Sequence, residues 1–139
     1  SNLWSLGRCY SEKGSFAQAE AALKSAFKLD PPSSLTWRDL KDYELLAQVL
    51  VKRSQYSQAA DCYNSVLHTL DLRYLDLAEV ERMYNKYIDI LKKLHWSKEE
   101  KTAQKELEHW RRNPDLFYSG ASTTQVTGPG SSPVDLNLP

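Results

Sequence analysis

Apolar residues recur along this chain at three- and four-residue intervals, the spacing that gathers them on one side of an α-helix. Leu3, Leu6, Cys9 and Tyr10 share such a face within residues 2–13. Gly14, which tolerates left-handed dihedrals, ends that stretch. Ser15 is placed to cap a second helix, whose apolar face is Phe16, Ala19, Ala22, Leu23, Ala26 and Phe27. Small side chains at 19, 22 and 26 let two helices approach closely, so an antiparallel hairpin is expected. Pro31 and Pro32 stop the second helix.

The pattern continues. A third helix is expected over about residues 35–53, opened by Ser33 or Ser34, with Leu40, Tyr43, Leu46, Ala47 and Leu50 as its stripe. Ser54-Gln55 makes a turn, and a fourth helix at about 56–70 carries Tyr56, Ala59, Ala60, Tyr63, Val66, Leu67 and Leu70. Asp71–Tyr74 links to a fifth helix at about 76–94, with Leu77, Val80, Tyr84, Tyr87, Ile88 and Leu91 inward. His95 and Trp96 fall in the next turn. Ser97 and Glu100 fit a capping box at the head of a sixth helix, 97–112. Its apolar positions are only Ala103, Leu107 and Trp110, and that polarity suits the outer face of a terminal unit. Leu116, Phe117 and Tyr118 are placed to dock on the last helix pair. Residues 119–139 are rich in Gly, Ser, Thr and Pro with almost no charge, and are expected to form a flexible tail.

The residues quoted resemble the tetratricopeptide repeat, a helix–turn–helix unit of 34 residues. In the first unit Leu6-Gly7, Tyr10, Gly14, Ala19, Ala26 and Pro31 occupy the family's preferred positions, with Leu3 in place of the usual Trp. The second keeps Leu46, Ala47, Tyr56, Ala59 and Tyr63 without the terminal Pro. Ala59 follows Ala19 by 40 residues, which puts an insertion of six around Pro32–Asp39. The third unit has little motif left. The resemblance implies an all-α fold of six helices, stacked as antiparallel pairs in a right-handed superhelix (an α-solenoid). The units lie at about 1–33, 35–71 and 76–112, within a domain spanning 1–118, followed by the tail 119–139. It implies a concave groove lined by the first helix of each unit. Carried over position by position, the groove residues are Trp4, Arg8 and Glu12, then Lys41, Glu44, Gln48 and Lys52, then Glu81, Tyr84, Ile88 and Lys92. Trp4 and Tyr84 are the expected aromatic anchors, since a few such residues carry most of an interface's energy. Repeats that clamp the acidic C-termini of heat-shock chaperones use Lys, Asn and Arg. The matching positions here hold Trp4, Arg8, Leu45, Glu81 and Asn85, so that clamp is absent.

Composition narrows the function. Lys and Arg number 18 and so do Asp and Glu, giving a net charge of zero. Such a balance offers no long-range attraction to phosphate backbones, which disfavours nucleic acid as a partner. Four Trp and eight Tyr are spread along the helices and form no RNA-reading motif. No apolar run is long enough to span a bilayer. Two cysteines, Cys9 and Cys62, fall mid-helix on apolar faces. They read as reduced core thiols of an intracellular protein, cytoplasmic or nuclear, with a disulfide between them as the alternative. His68, His95 and His109 lack metal-ligand spacing, and there is no glycine-rich phosphate loop. No catalytic residue, metal or cofactor is expected. Lys92-Lys93 and Arg111-Arg112 suit helix ends, where cations complement the dipole.

The expected function is a non-catalytic protein–protein interaction module, a scaffold or adaptor that binds a peptide or partner helix. An RNA-associated helical repeat and a co-chaperone-like adaptor without the carboxylate clamp are the alternatives. The chain opens inside its first helix, so it is expected to be the C-terminal part of a longer repeat protein. Its first helix face, near Leu3, Tyr10 and Phe16, is then partly exposed and open to self-association. Gly128-Pro129-Gly130-Ser131 is similar to an artificial linker, and a native or appended origin stays open. The final Pro133–Pro139 segment partly resembles the leucine- and Asn-rich repression motifs of plant transcription regulators, one residue short of the pattern.

Overall fold

Six α-helices follow one another in a computed structural model that describes residues 2–29 and 40–118. They are α1 (Asn2–Glu12), α2 (Phe16–Leu29), α3 (Leu40–Lys52), α4 (Tyr56–Thr69), α5 (Leu77–Leu94) and α6 (Ser97–Arg112). Among the described residues there is no strand. The expected stop at Pro31 and Pro32, the expected opening of the third helix at Ser33 or Ser34, and the tail 119–139 lie outside the described residues.

Packing follows chain order. α1 lies against α2, α3 against α4 and α5 against α6; α2 then meets α3, and α4 meets α5. The first pair closes tightly because Gly7 has no side chain. A Cβ there would stand 2.4 Å from Leu23 Cδ2 and 2.5 Å from its Cγ. Tyr43 joins the first pair to the second: the Trp4 ring meets its edge at 5.4 Å and the Phe27 ring at 4.8 Å. Such aromatic contacts add about 0.5–1.5 kcal/mol beyond area burial. One apolar cluster runs from Trp4 to Phe117.

Local signals place the ends. Asp71 accepts the Arg73 N–H and opens a single 3-10 turn at Leu72–Tyr74. Asp76 accepts the Glu79 N–H at 2.8 Å and caps α5. The expected capping box at Ser97 does not form. Trp96 takes the N-cap position, without a side-chain cap, because the turn before it has already fixed the register. At the far end Phe117 is buried against Trp110 at 5.1 Å, and Tyr118 lies on Tyr74 at 4.6 Å. No helix among the described residues is long and apolar enough to cross a membrane.

The two cysteines differ, which corrects the expectation that both are buried. Cys62 is buried and Cys9 is exposed, and both are free thiols. α1 buries the side carrying Trp4 and Gly7, which turns Cys9 outward. Burial, and then the charge of Asp61, push the Cys62 thiol up to about 12.

Three outcomes are expected. Gly7→Ala gains helix propensity worth about 1 kcal/mol. It forces the core-locked Leu23 aside at a cost of about 1–3 kcal/mol, so the urea midpoint falls with an unchanged slope. Cys9 reacts with a thiol reagent in the native protein, and Cys62 only on unfolding. Unfolding lets Cys62 ionise near its ordinary value of 9.0, against about 12 when folded. Its contribution to stability is therefore full below that lower value and is lost as pH rises from one to the other. A Cys62→Ala variant shows a shallower alkaline loss in denaturant titrations.

Candidate interaction face

Each helix pair closes through the same turn. Gly14, Ser54 and His95 have positive φ, at 81°, 59° and 61°. In each case the next N–H reaches back across the turn: Ser15 to the Tyr10 carbonyl at 2.8 Å, Gln55 to Leu50 at 2.8 Å and Trp96 to Leu91 at 3.1 Å. The left-handed residue itself donates to Ser11, Val51 or Lys92. These paired bonds make a Schellman motif. Glycine adopts this conformation freely, whereas Ser54 and His95 hold it at a cost of about 1–2 kcal/mol.

The turns are spaced by 40 and then 41 residues, and so set a structural register among the first helices. Leu3, Tyr43 and Tyr84 are equivalent, as are Trp4, Glu44 and Asn85. Arg8 corresponds to Gln48 and Asp89, and Glu12 to Lys52 and Lys93. The last two sets are exposed throughout, and they form the candidate face together with Lys41 and Asn85.

Of the groove residues expected from sequence, Arg8, Glu12, Lys41, Gln48 and Lys52 are exposed as that reading requires. Trp4, Glu44, Tyr84 and Ile88 are buried, and their expected exposure is corrected. Trp4 is taken up by its ring contact with Tyr43. Tyr84 and Ile88 lie one residue out of register: the exposed places in α5 belong to Asn85 and Asp89, which sequence reasoning missed. The signal was the turn at His95, one residue later than a strict repeat of the first interval. Glu81 is half-buried and pairs with Arg111 at 2.7 Å, while Lys92 is exposed.

Glu44 is buried because its charge is fully engaged. Arg82 holds both its oxygens, at 2.5 and 2.8 Å, and the Tyr63 hydroxyl donates to it at 3.0 Å. Arg82 also binds Glu79 at 2.7 Å. The hydrogen bonds to Glu44 and then Glu79 hold the guanidinium pKa up. Burial, and then the Glu44 charge, push the Tyr63 phenol up. Arg8 reaches Asp42 at 3.0 Å. The Arg8 and Arg82 contacts tie α1 to α3 and α3 to α5, so the first helices stand side by side. On the second helices, Glu20 receives Lys24 at 2.5 Å, Arg53 at 3.0 Å and Gln55 at 3.2 Å.

Lys41, Lys52 and Lys92 make no ion pair among the described residues. Lys93 lies 5.7 Å over the Tyr56 ring. The candidate face thus carries Arg8, Lys41, Lys52 and Lys93 against Glu12 and Asp89, a positive balance with acidic interruptions.

A cleft of about 440 Å³ lies elsewhere, with Leu67, Leu70, Leu72, Tyr84 and Trp110 among its lining residues. His68 meets Glu106 at 2.9 Å on its border, and Tyr84 donates to the same carboxylate oxygen at 3.1 Å. Among the described residues no group of three His, Cys, Asp or Glu side chains is placed to hold a metal ion. No protein-family model, curated protein or solved structure matches the chain.

Arg82→Met leaves the Glu44 charge buried with only Tyr63 beside it. Breaking a buried pair costs about 3–5 kcal/mol, and the partial exposure of Arg82 reduces this to about 2–3 kcal/mol. Adding Glu44→Gln removes the stranded charge and keeps an acceptor for Tyr63. Denaturant titration is expected to show the double variant recovering most of the loss.

Proposed function

We propose that this chain is a non-catalytic protein-binding module of tetratricopeptide-repeat type. In this reading its three helix pairs stack as a right-handed superhelix, and the exposed residues of the first helices line the concave side. The observation that carries the reading is the recurring left-handed turn at Gly14, Ser54 and His95. It repeats one set of positions across α1, α3 and α5, and so presents a row of side chains with common orientation. A row spread over three helices suits an extended ligand better than a small substrate, which needs a concave pocket with convergent polar groups.

The chemistry of the row points to a peptide or partner segment carrying acidic residues. Arg8 is already shared with Asp42, whereas Lys41, Lys52 and Lys93 make no ion pair among the described residues. Glu12 and Asp89 interrupt the positive stretch and disfavour a phosphate backbone, which would be repelled at both places. Electrostatic recognition of this kind acts mainly on association rate and is sensitive to salt.

Affinity capture from a cell lysate, with the wild type compared against Lys41→Glu/Lys52→Glu/Lys93→Glu, tests the reading. All three side chains are exposed, so circular dichroism and the thermal midpoint should change little. The variant is expected to lose its specific partners, and wild-type capture to weaken at high salt. Recovery of the same partners by both proteins would refute this assignment of the face. Tight RNA binding at physiological salt would replace it with the nucleic-acid reading.

A further inference from the structure

The register of the three turns also sets the order of charges on the exposed row. Two residues before each left-handed turn stand Glu12 on α1, Lys52 on α3 and Lys93 on α5. One helical turn earlier stand Arg8, Gln48 and Asp89. From α1 to α5 the tier next to the turns is therefore negative, positive, positive. The tier above it is positive, neutral, negative. All six side chains are exposed. Among the described residues only Arg8 of the six is in an ion pair, with Asp42 at 3.0 Å. Arg8 and Glu12, and likewise Asp89 and Lys93, have the four-residue spacing at which opposite charges meet on a helix. Neither pair forms among the described residues, because Arg8 crosses to α3 and Lys93 lies 5.7 Å over the Tyr56 ring. The tier next to the turns thus holds three charges outside any ion pair.

Helix spacing turns this order into a ligand pattern. The first helices are neighbours, since Arg8 joins α1 to Asp42 of α3 and Arg82 joins α5 to Glu44 of α3. Axes of neighbouring helices stand about 8–10 Å apart. A polyproline II segment has three residues per turn and rises about 3.1 Å per residue, so its residues i, i+3 and i+6 point the same way, about 9 Å apart. A β-strand of the same reach turns i and i+3 to opposite sides. A polyproline II segment laid across the three helices therefore presents one side chain to each. Complementarity asks for an acid at Lys93, an acid at Lys52 and a base at Glu12. The tier above rejects the same segment, because its first acid would meet Asp89 and its base would meet Arg8. The height of the segment on the helices is fixed as well. Neither stretch of this chain outside the described helices has the pattern. Residues 30–39 hold the charges of Asp30, Arg38 and Asp39, and residues 119–139 hold that of Asp135.

We propose that Glu12, Lys52 and Lys93 select the charge order of a partner's segment: a polyproline II peptide with two acidic residues three positions apart and a basic residue three positions further. The base stands at the α1 end whichever way the peptide backbone runs. This inference rests on the protein-binding reading of the row and deepens it. Net attraction to a basic row does not distinguish peptides of equal charge, whereas this tier does. A peptide with the base in the middle sets like charges together at both Lys52 and Glu12, and such mismatches are what exclude a wrong partner.

Synthetic proline-rich peptides with charged residues at every third position test this against the whole protein. Titrations are followed by amide chemical shifts, which register millimolar affinities, at low ionic strength, where exposed charges are least screened. The ordered peptide carries acid, acid, base, and the permuted peptide carries acid, base, acid. The ordered peptide is expected to bind about tenfold tighter, since two attractions replace two repulsions, each worth an exposed ion pair. Charge reversals in the protein then redirect the preference. Glu12→Lys favours an acid, acid, acid peptide over the ordered one by about two- to fivefold, and Lys52→Glu favours acid, base, base by a similar factor. Equal affinity for the ordered and permuted peptides, both weakened by Lys52→Glu/Lys93→Glu, overturns the charge-order inference and leaves the basic-row reading standing. Binding that Lys52→Glu/Lys93→Glu does not weaken overturns both. Absence of binding by the ordered peptide overturns the inference alone, because the row is tested separately by capture of its partners.

Discussion

A residue held at positive φ ends each first helix, and the placement of side chains in this molecule depends on that restraint. The turn at Gly14, Ser54 or His95 closes two bonds onto carbonyls that a helix end otherwise leaves open. It reverses the chain within a few residues, which keeps α1 on α2, α3 on α4 and α5 on α6. It also fixes rotation. A first helix entering such a turn has its last residues in a set conformation, so the positions before it face set directions. The burial of Leu50 and Leu91 follows from this, and so does the exposure of Lys52 and Lys93. Ser54 and His95 lack glycine's freedom, so the bonds of the turn and the packing on either side hold them there.

Apolar packing drives the pairs together but is non-directional, so it does not by itself select how one pair sits on the next. Directed contacts supply that choice. Glu44 receives a two-pronged bond from Arg82 on α5 and a hydroxyl from Tyr63 on α4, which joins three helices at one carboxylate. Glu20 does similar work from α2 onto the turn of the second pair through Arg53 and Gln55. Among the described residues no buried side-chain nitrogen or oxygen lacks a partner. Buried charge is costly unless matched in this way, so these carboxylates restrict the arrangements open to the chain more than they add net stability.

Helix positions were legible because their signals are local. Six periodic stretches, each bounded by Gly, Pro, Ser or Asp, match six helices to within a few residues at the ends that are described. The outward residues of α1 and α3 were also legible, since Arg8, Glu12, Gln48 and Lys52 follow from the wheel once the apolar side is known. The errors share one cause, which is that contacts between helices leave no periodic trace. Trp4 beside Tyr43 and Glu44 beside Arg82 are pairs far apart in sequence. A polar residue that finds such a partner leaves the surface without any local warning. Tyr84 and Ile88 were misplaced for a different reason. The third unit has few motif residues, so its register hung on the turn, and a shift of one residue rotates a helix by about 100°. That moves a core position onto the neighbouring face.

The neutral composition conceals how charge is used. Many acidic residues of the helices are committed to internal pairs: Glu20, Asp42, Glu44, Glu79, Glu81 and Glu106 all sit in pairs between or along helices. Their partners are mainly arginines, whose forked guanidinium suits a carboxylate better than a point charge does. Lysines are left over: Lys13 in the first turn, Lys41 and Lys52 on α3, and Lys92 on α5. The exposed row along the first helices, with Arg8, Lys41, Lys52 and Lys93 against Glu12 and Asp89, therefore carries a positive balance although the whole chain has no net charge. Local pairing of charges, and not the total, thus decides which charged side chains this fold presents to its surroundings.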